Sequence, residues 1–342
     1  MRFSKWLICI LAGASIIHRG AAAGIILDPC TPVIAGPNPV FVKYGGSISL
    51  NCTTMCNNTI ESRGWETSLR KDEGPMDRYW ITANLLNITQ WISAPLCFTI
   101  DSSSESRTTK ITIVAYQAPI DVRIDFPPQM LVGESYSMIC QAFKVAPKRN
   151  LSLSILRGFE TLHRETFSED LTPTSTDVTI THNITAHRRD QGAEYSCIAV
   201  LDLRPNGEVF NASSLRKSVS IVGPPININI STDKTNFQKG DNFTVKCYAE
   251  GNPSPVFKWH FPSNESIRTS RNGSTVTIIS AQGVHSGTYE CRAQNLFGTI
   301  TSKVDILLKD LPAHGFPVWA TVIIIIISCL SVVGALVFWK YR

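Results

Sequence analysis

Short stretches in which apolar and polar residues alternate recur through most of the chain, as in Phe243 to Cys247 and Thr275 to Ile279. Alternation with a period of two is typical of β-strands that bury one face and expose the other. The same rule applied to Trp65 and Glu66 predicts that the tryptophan faces a core and that the glutamate faces solvent. The pattern therefore predicts an all-β protein with a rigidly held carboxylate on its surface.

The N-terminus has the pattern of a secretory signal peptide. Arg2 and Lys5 precede an apolar run from Trp6 to Ile17, and three alanines at 21–23 resemble a signal-peptidase site. We therefore expect residues 1–23 to be removed during export. The mature chain would then begin near Gly24.

A second apolar segment, Val318 to Trp339, is followed by two basic residues. Its 22 residues suffice for a helix that crosses a hydrocarbon core of about 30 Å, and the basic residues favour the cytoplasmic side. We expect a plasma-membrane protein of single-pass type I topology, with a buried core helix as the alternative interpretation. The expected segments are a juxtamembrane stalk at 310–317, a transmembrane helix at 318–339 and a cytoplasmic tail at 340–342.

Composition and charge restrict the function further. The chain has 342 residues, of which 43% are hydrophobic, and a formal net charge of +5. This length and composition allow two or three domains. The remainder of the chain is neutral and has no basic patch, so nucleic acid is not an expected partner. The positive excess lies entirely in the signal and the tail, at Arg2, Lys5, Arg19, Lys340 and Arg342.

The chain contains ten cysteines, more than a cytosolic protein of this size usually has. This number favours an oxidising compartment. Cys9 lies in the predicted signal peptide and Cys329 in the predicted span. The remaining even number predicts four disulfides among Cys30, Cys52, Cys56, Cys97, Cys140, Cys197, Cys247 and Cys291.

The last pair of cysteines has the clearest context. Trp259 follows Cys247 by 12 residues, and Tyr289 precedes Cys291 by two. This order is typical of an immunoglobulin sandwich, in which a tryptophan packs on an inter-sheet disulfide and a tyrosine closes a corner. We therefore predict a Cys247–Cys291 bridge. His285 stands where an aspartate often precedes the tyrosine, and we interpret it as a structural or solvated residue.

The middle pair repeats part of this pattern. Tyr195 precedes Cys197 by two residues, which predicts a Cys140–Cys197 bridge. No tryptophan occupies the position expected for strand C. Aliphatic residues alternate there instead, so we expect them to pack on the disulfide: Leu151, Leu153 and Ile155.

The first unit pairs Cys52 with Cys97 and has Trp65 as its core residue. Cys30 and Cys56 are left over. Strand A of a sandwich starts at the end where strand B finishes, so these two cysteines are placed to bridge each other. Two free thiols are the alternative. Together the units predict three tandem immunoglobulin-like β-sandwiches at 24–118, 119–223 and 224–309.

Ten Asn-x-Ser/Thr sequons lie between the two long apolar segments, as expected of an extracellular glycoprotein. Asn51 precedes the inward-facing Cys52, so it points outward from the sheet of strands A, B and E. Asn87 is expected on strand E of that sheet, whereas Glu66 belongs to the opposite sheet. Glycans at Asn51 and Asn87 would then leave the face of Glu66 open, an argument that is weaker for the loop sequon Asn57. The sequons are Asn51, Asn57, Asn87, Asn150, Asn183, Asn211, Asn229, Asn242, Asn264 and Asn272.

Five motifs in the first two units occur in an order found in a known family. The first unit contains Asn51 to Cys56 and Gly64 to Leu69, and the second contains Leu156 to Gly158, Glu160 to Phe167 and Cys197 to Pro205. These motifs resemble the first two domains of the intercellular adhesion molecule family, which belongs to the immunoglobulin superfamily. The third unit resembles I-type immunoglobulin domains in general.

The resemblance implies a cell-surface adhesion protein that binds leukocyte β2 integrins. The family's key residue is the glutamate of a Gly-x-Glu-Thr motif at the end of strand C. It corresponds to Glu66 here, with Thr67 as its neighbour and Trp65 as core support. Its carboxylate would complete the coordination of a Mg²⁺ ion held by the integrin, because this hard cation prefers oxygen ligands. The chain itself would then need no cofactor, metal site or small-molecule substrate.

Two features depart from the family pattern. First domains of the family often have a second bridge between strands B and F, but Asp101 stands four residues after Cys97 in this chain. Cys56 then has Cys30 as its only candidate partner. The expected three-residue tail is shorter than family tails, so this form, if complete, is expected neither to signal nor to anchor to the cytoskeleton by itself. A splice variant or a truncated sequence is the alternative.

Other functions stay open at this stage. Ile100-Asp101-Ser102 resembles the Ile/Leu-Asp-Ser/Thr motif with which vascular and mucosal addressins bind α4 integrins, although it follows strand F here rather than strand C. Homophilic adhesion, a homodimer and an immune receptor without its own signalling tail are further alternatives. Scattered histidines and the lack of a Gly-rich phosphate loop, a His-Glu-x-x-His or a Gly-x-Ser-x-Gly motif argue against an enzyme.

Overall fold

The computed structural model describes residues 30–56, 59–309 and 318–340. The predicted signal peptide, the stalk, the sequon at Asn57 and the last two residues of the tail lie outside these ranges. Mostly antiparallel strands pack around three separate hydrophobic cores that follow one another along the chain. The prediction of an all-β fold with several immunoglobulin-like domains is therefore confirmed.

The first sandwich places two layers of strands around a core that includes Trp65. Its strands are β1 (Val33–Ile34), β2 (Val40–Lys43), β3 (Ile48–Thr53), β4 (Ile60–Glu66), β5 (Lys71–Asp77), β6 (Trp80–Leu85), β7 (Ile92–Ser93), β8 (Leu96–Asp101), β9 (Ser106–Lys110) and β10 (Ile113–Tyr116). One layer has the order β1-β3-β6-β5, and the other consists of the sheets β4-β8-β9 and β2-β10-β7. Strands β3, β4 and β8 are the predicted strands B, C and F.

The second sandwich has the longest strands of the first two units. They are β11 (Asp121–Asp125), β12 (Gln129–Leu131), β13 (Ser135–Val145), β14 (Leu151–Arg157), β15 (Glu160–Thr166), β16 (Thr176–Thr185), β17 (Glu194–Asp202), β18 (Val209–Ser213) and β19 (Lys217–Ser218). The sheet β11-β13-β16 faces the sheet β15-β14-β17-β18. The prediction that aliphatic residues pack where strand C usually has a tryptophan is confirmed. Three alternating residues of β14 are at most 1% exposed: Leu151, Leu153 and Ile155.

The third sandwich begins within a strand that it shares with the second. Its strands are β20 (Ser220–Thr232), β21 (Phe237–Gln238), β22 (Phe243–Asn252), β23 (Val256–His260), β24 (Ile267–Thr269), β25 (Thr275–Ile278), β26 (Gly287–Asn295), β27 (Gly298–Ile306) and β28 (Leu308–Lys309). Strand β20 pairs first with β12 and then with β22, and its register shifts after Gly223. Pro224 and Pro225 explain the shift, because proline cannot donate to a ladder. The predicted domain boundary at 223/224 therefore lies within a continuous strand.

Four disulfides hold the described strands together. Three of them join the two layers of one sandwich each, and the fourth ties the N-terminal segment to the loop after β3. The pairs are the ones expected from the sequence: Cys52–Cys97, Cys140–Cys197, Cys247–Cys291 and Cys30–Cys56.

The tyrosine corners of the second and third sandwiches use different acceptors for the same hydrogen bond. In the second sandwich, the backbone N–H of His187 donates to Asp190 Oδ2 over 3.1 Å. In the third, the backbone N–H of Gln282 donates to His285 Nδ1 over 2.8 Å, and His285 Nε2 lies 2.8 Å from the carbonyl oxygen of Glu265. His285 is 1% exposed. An imidazole therefore replaces the aspartate, which confirms the structural interpretation of His285.

Helix α1 (Val318–Lys340) is the C-terminal element of the described residues. The apolar side chains described for it are exposed in the isolated chain. Among residues whose placement the structure describes, no helix combines the length and the apolar character needed to cross a membrane. The transmembrane helix expected at 318–339 stays a prediction.

Direct hydrogen bonds join the first sandwich to the second. The backbone groups of Gln117 and Ala146 exchange two bonds of 2.9 and 3.0 Å. Asn206 Nδ2 donates to the carbonyl oxygen of Pro39 over 3.0 Å. These bonds restrict the orientation of the first sandwich, which carries Glu66, relative to the second.

Removal of the Cys30–Cys56 bridge should destabilise the first sandwich. The bridge spans 26 residues, and the chain-entropy model assigns about 3.5 kcal/mol to a loop of that length. A Cys30→Ser/Cys56→Ser variant of the full chain should therefore lose roughly 2–5 kcal/mol in the unfolding of this sandwich. Differential scanning calorimetry measures the effect as one transition that moves to lower temperature. Identical transitions in variant and wild type would contradict the prediction.

Candidate functional site

Strand β4 places Trp65 and Glu66 on opposite faces of its sheet, as a period of two requires. Trp65 pairs with Cys97 of β8, is 4% exposed, and donates a 3.3 Å hydrogen bond from Nε1 to the carbonyl oxygen of Ile81. Glu66 is the last residue of the strand and is exposed. Packing of Trp65 therefore fixes the backbone from which the glutamate projects.

The backbone around Glu66 is held, whereas its carboxylate is free. Lys71 Nζ donates to the carbonyl oxygen of Trp65 over 2.7 Å, and the N–H of Leu69 donates to Thr67 Oγ1 over 3.1 Å. No hydrogen bond or ion pair engages the Glu66 carboxylate within the described part of the chain. The half-buried Thr67 accepts this hydrogen bond, so it stabilises its own turn and positions the chain beside Glu66.

Gly64 allows an aromatic ring to lie directly on strand β4. It pairs with Phe98 of β8, and a Cβ added at Gly64 would be 2.9 Å from two carbons of the Phe98 ring. Real Cβ atoms essentially never approach that closely. The glycine of the Gly-x-Glu-Thr motif thus has a packing role two residues before the glutamate.

The outward face of β8 carries an apolar stripe that begins opposite Glu66. We define this outer stripe by Leu96, Phe98 and Ile100, which are half-buried although they point away from the core. Leu96 is the cross-strand partner of Glu66. The outer stripe and the carboxylate therefore form one continuous surface on the sheet β4-β8-β9.

Strand β8 reverses the usual distribution of polar and apolar residues, and the sequence interpretation missed this. Beside the bridged Cys97, the inward positions hold Thr99 and Asp101, which are 4% and 2% exposed. Thr99 Oγ1 donates to the carbonyl oxygen of Cys30 over 2.9 Å, so the N-terminal segment satisfies it. The sequence does contain this information, because the apolar residues of β8 alternate out of phase with the inward-facing Cys97.

Asp101 is fully engaged by groups of its own chain. Its carboxylate accepts a hydrogen bond from the Ser103 hydroxyl, a 2.9 Å ion-paired bond from Arg107, and backbone N–H bonds from Ser103 and Glu105. The Ser103 hydroxyl, followed by Arg107 and the backbone donors, holds the pKa of this carboxyl well below its usual range. Asp101 thus closes the turn between β8 and β9. The alternative prediction of Asp101 as an integrin ligand is corrected, because a buried and saturated carboxylate cannot reach a partner's metal ion.

The described sequons of the first sandwich lie away from the sheet of Glu66. Asn51 is exposed on β3, in the opposite layer, as expected. Asn87 is exposed too, but it lies in the turn after β6 and not on that strand. Its φ of 48° explains the difference, because asparagine tolerates this left-handed conformation better than most residues. Neither residue belongs to β4-β8-β9.

Metal-ligating side chains do not cluster in the described ranges. No group of three or more His, Cys, Asp or Glu side chains is placed there to hold an ion.

Family models match two parts of the chain. Residues 31–121 match the model described as "Intercellular adhesion molecule (ICAM), N-terminal domain". Residues 224–295 match the model described as "Immunoglobulin domain". The first match contains the whole of the Glu66 surface.

Curated relatives extend the similarity into the second sandwich. Human intercellular adhesion molecule 5 is 34% identical over 172 residues, which are 50% of this chain and 18% of the relative. Rat intercellular adhesion molecule 1 is 35% identical over 187 residues, 54% of this chain and 32% of the relative. Human vascular cell adhesion protein 1 is 26% identical over 281 residues, 79% and 37% of the two chains. The matched part of the chain thus spans between 18% and 37% of the length of these relatives.

Solved structures agree with the fold. A crystal structure of the ICAM-5 D1-D4 ectodomain fragment is 25% identical and has a TM-score of 0.52, covering 84% of this chain and 78% of the fragment. The three-domain ectodomain of mouse nectin-like molecule 4 has a TM-score of 0.54 at 17% identity, covering 82% of this chain and 100% of that one. The second similarity reflects the immunoglobulin fold alone.

Asp101 should make the stability of the first sandwich depend on acid pH. A carboxyl whose pKa is lower in the folded state stabilises it above the unfolded value of about 3.9, and this stabilisation is lost as the pH falls below that value. Asp101→Asn should therefore lower the free energy of unfolding at neutral pH and weaken its dependence on pH in the acid range. Denaturant titrations at a series of pH values measure both effects.

Asp72→Asn is the matched control for this measurement. Asp72 is exposed on β5 and has no partner among the described residues. Its substitution should leave the pH dependence of the free energy of unfolding close to that of the wild type. If both variants behaved alike, the turn around Asp101 would not be the source of the acid sensitivity.

Proposed function

This chain belongs to the intercellular adhesion molecule family of the immunoglobulin superfamily, and from that premise we propose that it is a cell-surface adhesion ligand for leukocyte β2 integrins. The contact residue is Glu66 of the first sandwich. Its carboxylate completes the coordination of a Mg²⁺ ion that the integrin carries. An oxygen ligand suits this hard cation, which usually keeps several bound waters that a carboxylate can replace.

One observation carries the proposal: the Glu66 carboxylate is exposed and unpartnered at the end of a strand whose preceding residue is locked in the core. A long acidic side chain on a mobile loop would lose conformational freedom on binding, which weakens association. Here Trp65, Lys71 and the Thr67 turn hold the backbone before any partner arrives. The site is preorganised to offer one carboxylate outward.

The outer stripe supplies the rest of the contact surface. Contacts around the energetic centre of an interface exclude water, and a charge contact gains strength where water is excluded. Leu96, Phe98 and Ile100 provide this apolar surface beside Glu66. The neighbouring sequons Asn51 and Asn87 lie off this sheet, so their glycans would leave the stripe accessible.

The proposal includes anchoring of the three sandwiches at the plasma membrane. The apolar run at 318–339, the basic residues after it and the signal-like N-terminus support a single-pass type I arrangement. The first sandwich would then stand farthest from the membrane, where a cell-bound integrin can reach it. Homophilic adhesion through the same sheet remains the competing function, and the test below separates the two.

Replacement of the proposed metal ligand should abolish integrin capture. Cells that display the full chain should bind a purified β2 integrin in Mg²⁺, and Glu66→Ala should weaken this binding by at least about thirtyfold. That factor corresponds to the lower end of the roughly 2–5 kcal/mol lost when one partner of a desolvated charge pair is truncated. A chelator should remove wild-type binding to the same extent.

Glu61→Ala is the matched control, because Glu61 is an exposed glutamate on the same strand. This variant should bind as the wild type does. Equal binding by a folded Glu66→Ala variant would refute the role of Glu66. Self-association of the displayed chain that requires neither Mg²⁺ nor integrin would favour homophilic adhesion.

A further inference from the structure

A cleft of about 520 Å³ opens between the first and second sandwiches. One wall comes from β2, β7 and β10, and the other from the loops at the top of the second sandwich. The size lies within the range of pockets that bind small organic ligands. We propose that the cleft holds the core sugars of an N-linked glycan attached to Asn150, which lines it.

Asn150 differs from the other sequon asparagines that the structure describes. Eight of those nine are exposed, whereas Asn150 is half-buried. Its Nδ2 donates a 2.8 Å hydrogen bond to the carbonyl oxygen of Asp202. Nδ2 has two hydrogens, so one can keep this bond while the other is replaced by the bond to the sugar. The side chain is thus oriented at the cleft wall, and a glycan attached there starts inside the cleft.

The lining suits the faces of a pyranose ring. Four prolines contribute to it, together with apolar side chains of both sandwiches; the residues that matter most are Pro39, Phe41, Ile92, Leu171 and Pro173. Leu171 is 69% and Ile92 54% exposed, which is high for large apolar residues at a domain junction. The C–H faces and N-acetyl methyl groups of the core sugars would remove this apolar surface from water.

Polar groups at the edge of the cleft match the sugar hydroxyls. Arg149 and Thr172 are exposed there and line the opening. Pockets of this kind combine apolar walls with a few polar groups that orient the ligand. Arg204 contributes less, because it is ion-paired with Asp202 over 2.6 Å.

The covalent link distinguishes this occupant from a free ligand. A sugar tethered to the wall is present at an effective concentration in the millimolar range or above, so weak contacts suffice to retain it. The glycan would touch both walls, and it would add to the Gln117–Ala146 and Asn206–Pro39 hydrogen bonds that already join the two sandwiches. It would therefore stiffen the junction that presents the first sandwich.

Native deglycosylation tests the proposal on the full chain. The protein is produced in mammalian cells and treated under native conditions with peptide-N-glycosidase F, which leaves aspartate at each released site for mass spectrometry to count. Release at Asn150 should be about tenfold slower than at Asn183, an exposed sequon on β16 of the same sandwich. Tenfold protection corresponds to about 1.4 kcal/mol of sequestration. The two rates should converge after denaturation.

A pair of leucine variants locates the protection in the cleft. Leu171→Ala removes part of the apolar wall, so the release rate at Asn150 should become several-fold closer to the rate at Asn183. Leu215→Ala makes the same change at an exposed leucine of the second sandwich outside the cleft lining, and should change nothing. Absence of a glycan at Asn150, equal native release at both sequons, or equal effects of the two variants would overturn the proposal.

Discussion

The position of the Glu66 carboxylate depends on the packing of Trp65 in the core that contains the Cys52–Cys97 bridge. The indole is buried and bonded, and truncation of such a residue to alanine typically costs about 3–5 kcal/mol. Because strand geometry forces adjacent side chains to opposite faces, a fixed Trp65 leaves Glu66 no inward alternative. Core stability and the position of this carboxylate therefore depend on the same two adjacent residues, and a change that loosened the core would also move the carboxylate.

Strand β8 shows how the first sandwich keeps an apolar face toward solvent without losing its core. Thr99 and Asp101 face inward, where Cys30 and the β8–β9 turn satisfy them, and the outer stripe faces outward. Buried polar groups are costly only when they lack partners. The Cys30–Cys56 bridge has a second consequence here, because it holds the carbonyl oxygen that Thr99 requires. Apolar residues on the outer face are therefore not needed for the core of this sandwich.

The two junctions of the described chain are built differently. The first and second sandwiches meet through a few hydrogen bonds and the stacked pair Tyr116–Phe210, beside an open cleft. The second and third sandwiches share the continuous strand β20. A shared strand restricts rotation through its ladder on both sides. At the upper junction the hydrogen bonds leave apolar walls uncovered, and the sequon at Asn150 is the feature of the chain best placed to cover them. The lower junction is thus held by one continuous strand, whereas the upper junction is held by one backbone pair and by side-chain contacts.

Local patterns in the sequence determined much of this protein: the all-β fold, the immunoglobulin spacing of cysteine, tryptophan and tyrosine, and the outward direction of Glu66. These follow from strand periodicity and from residues with one strong structural use, so they need no knowledge of distant contacts. Only the tertiary structure decided that Asp101 is buried, that Asn87 leaves its strand, that β20 crosses a domain boundary and that Asn150 lines a cleft. Each of these depends on which distant groups approach the residue in space, and the order of residues along the chain does not specify that approach.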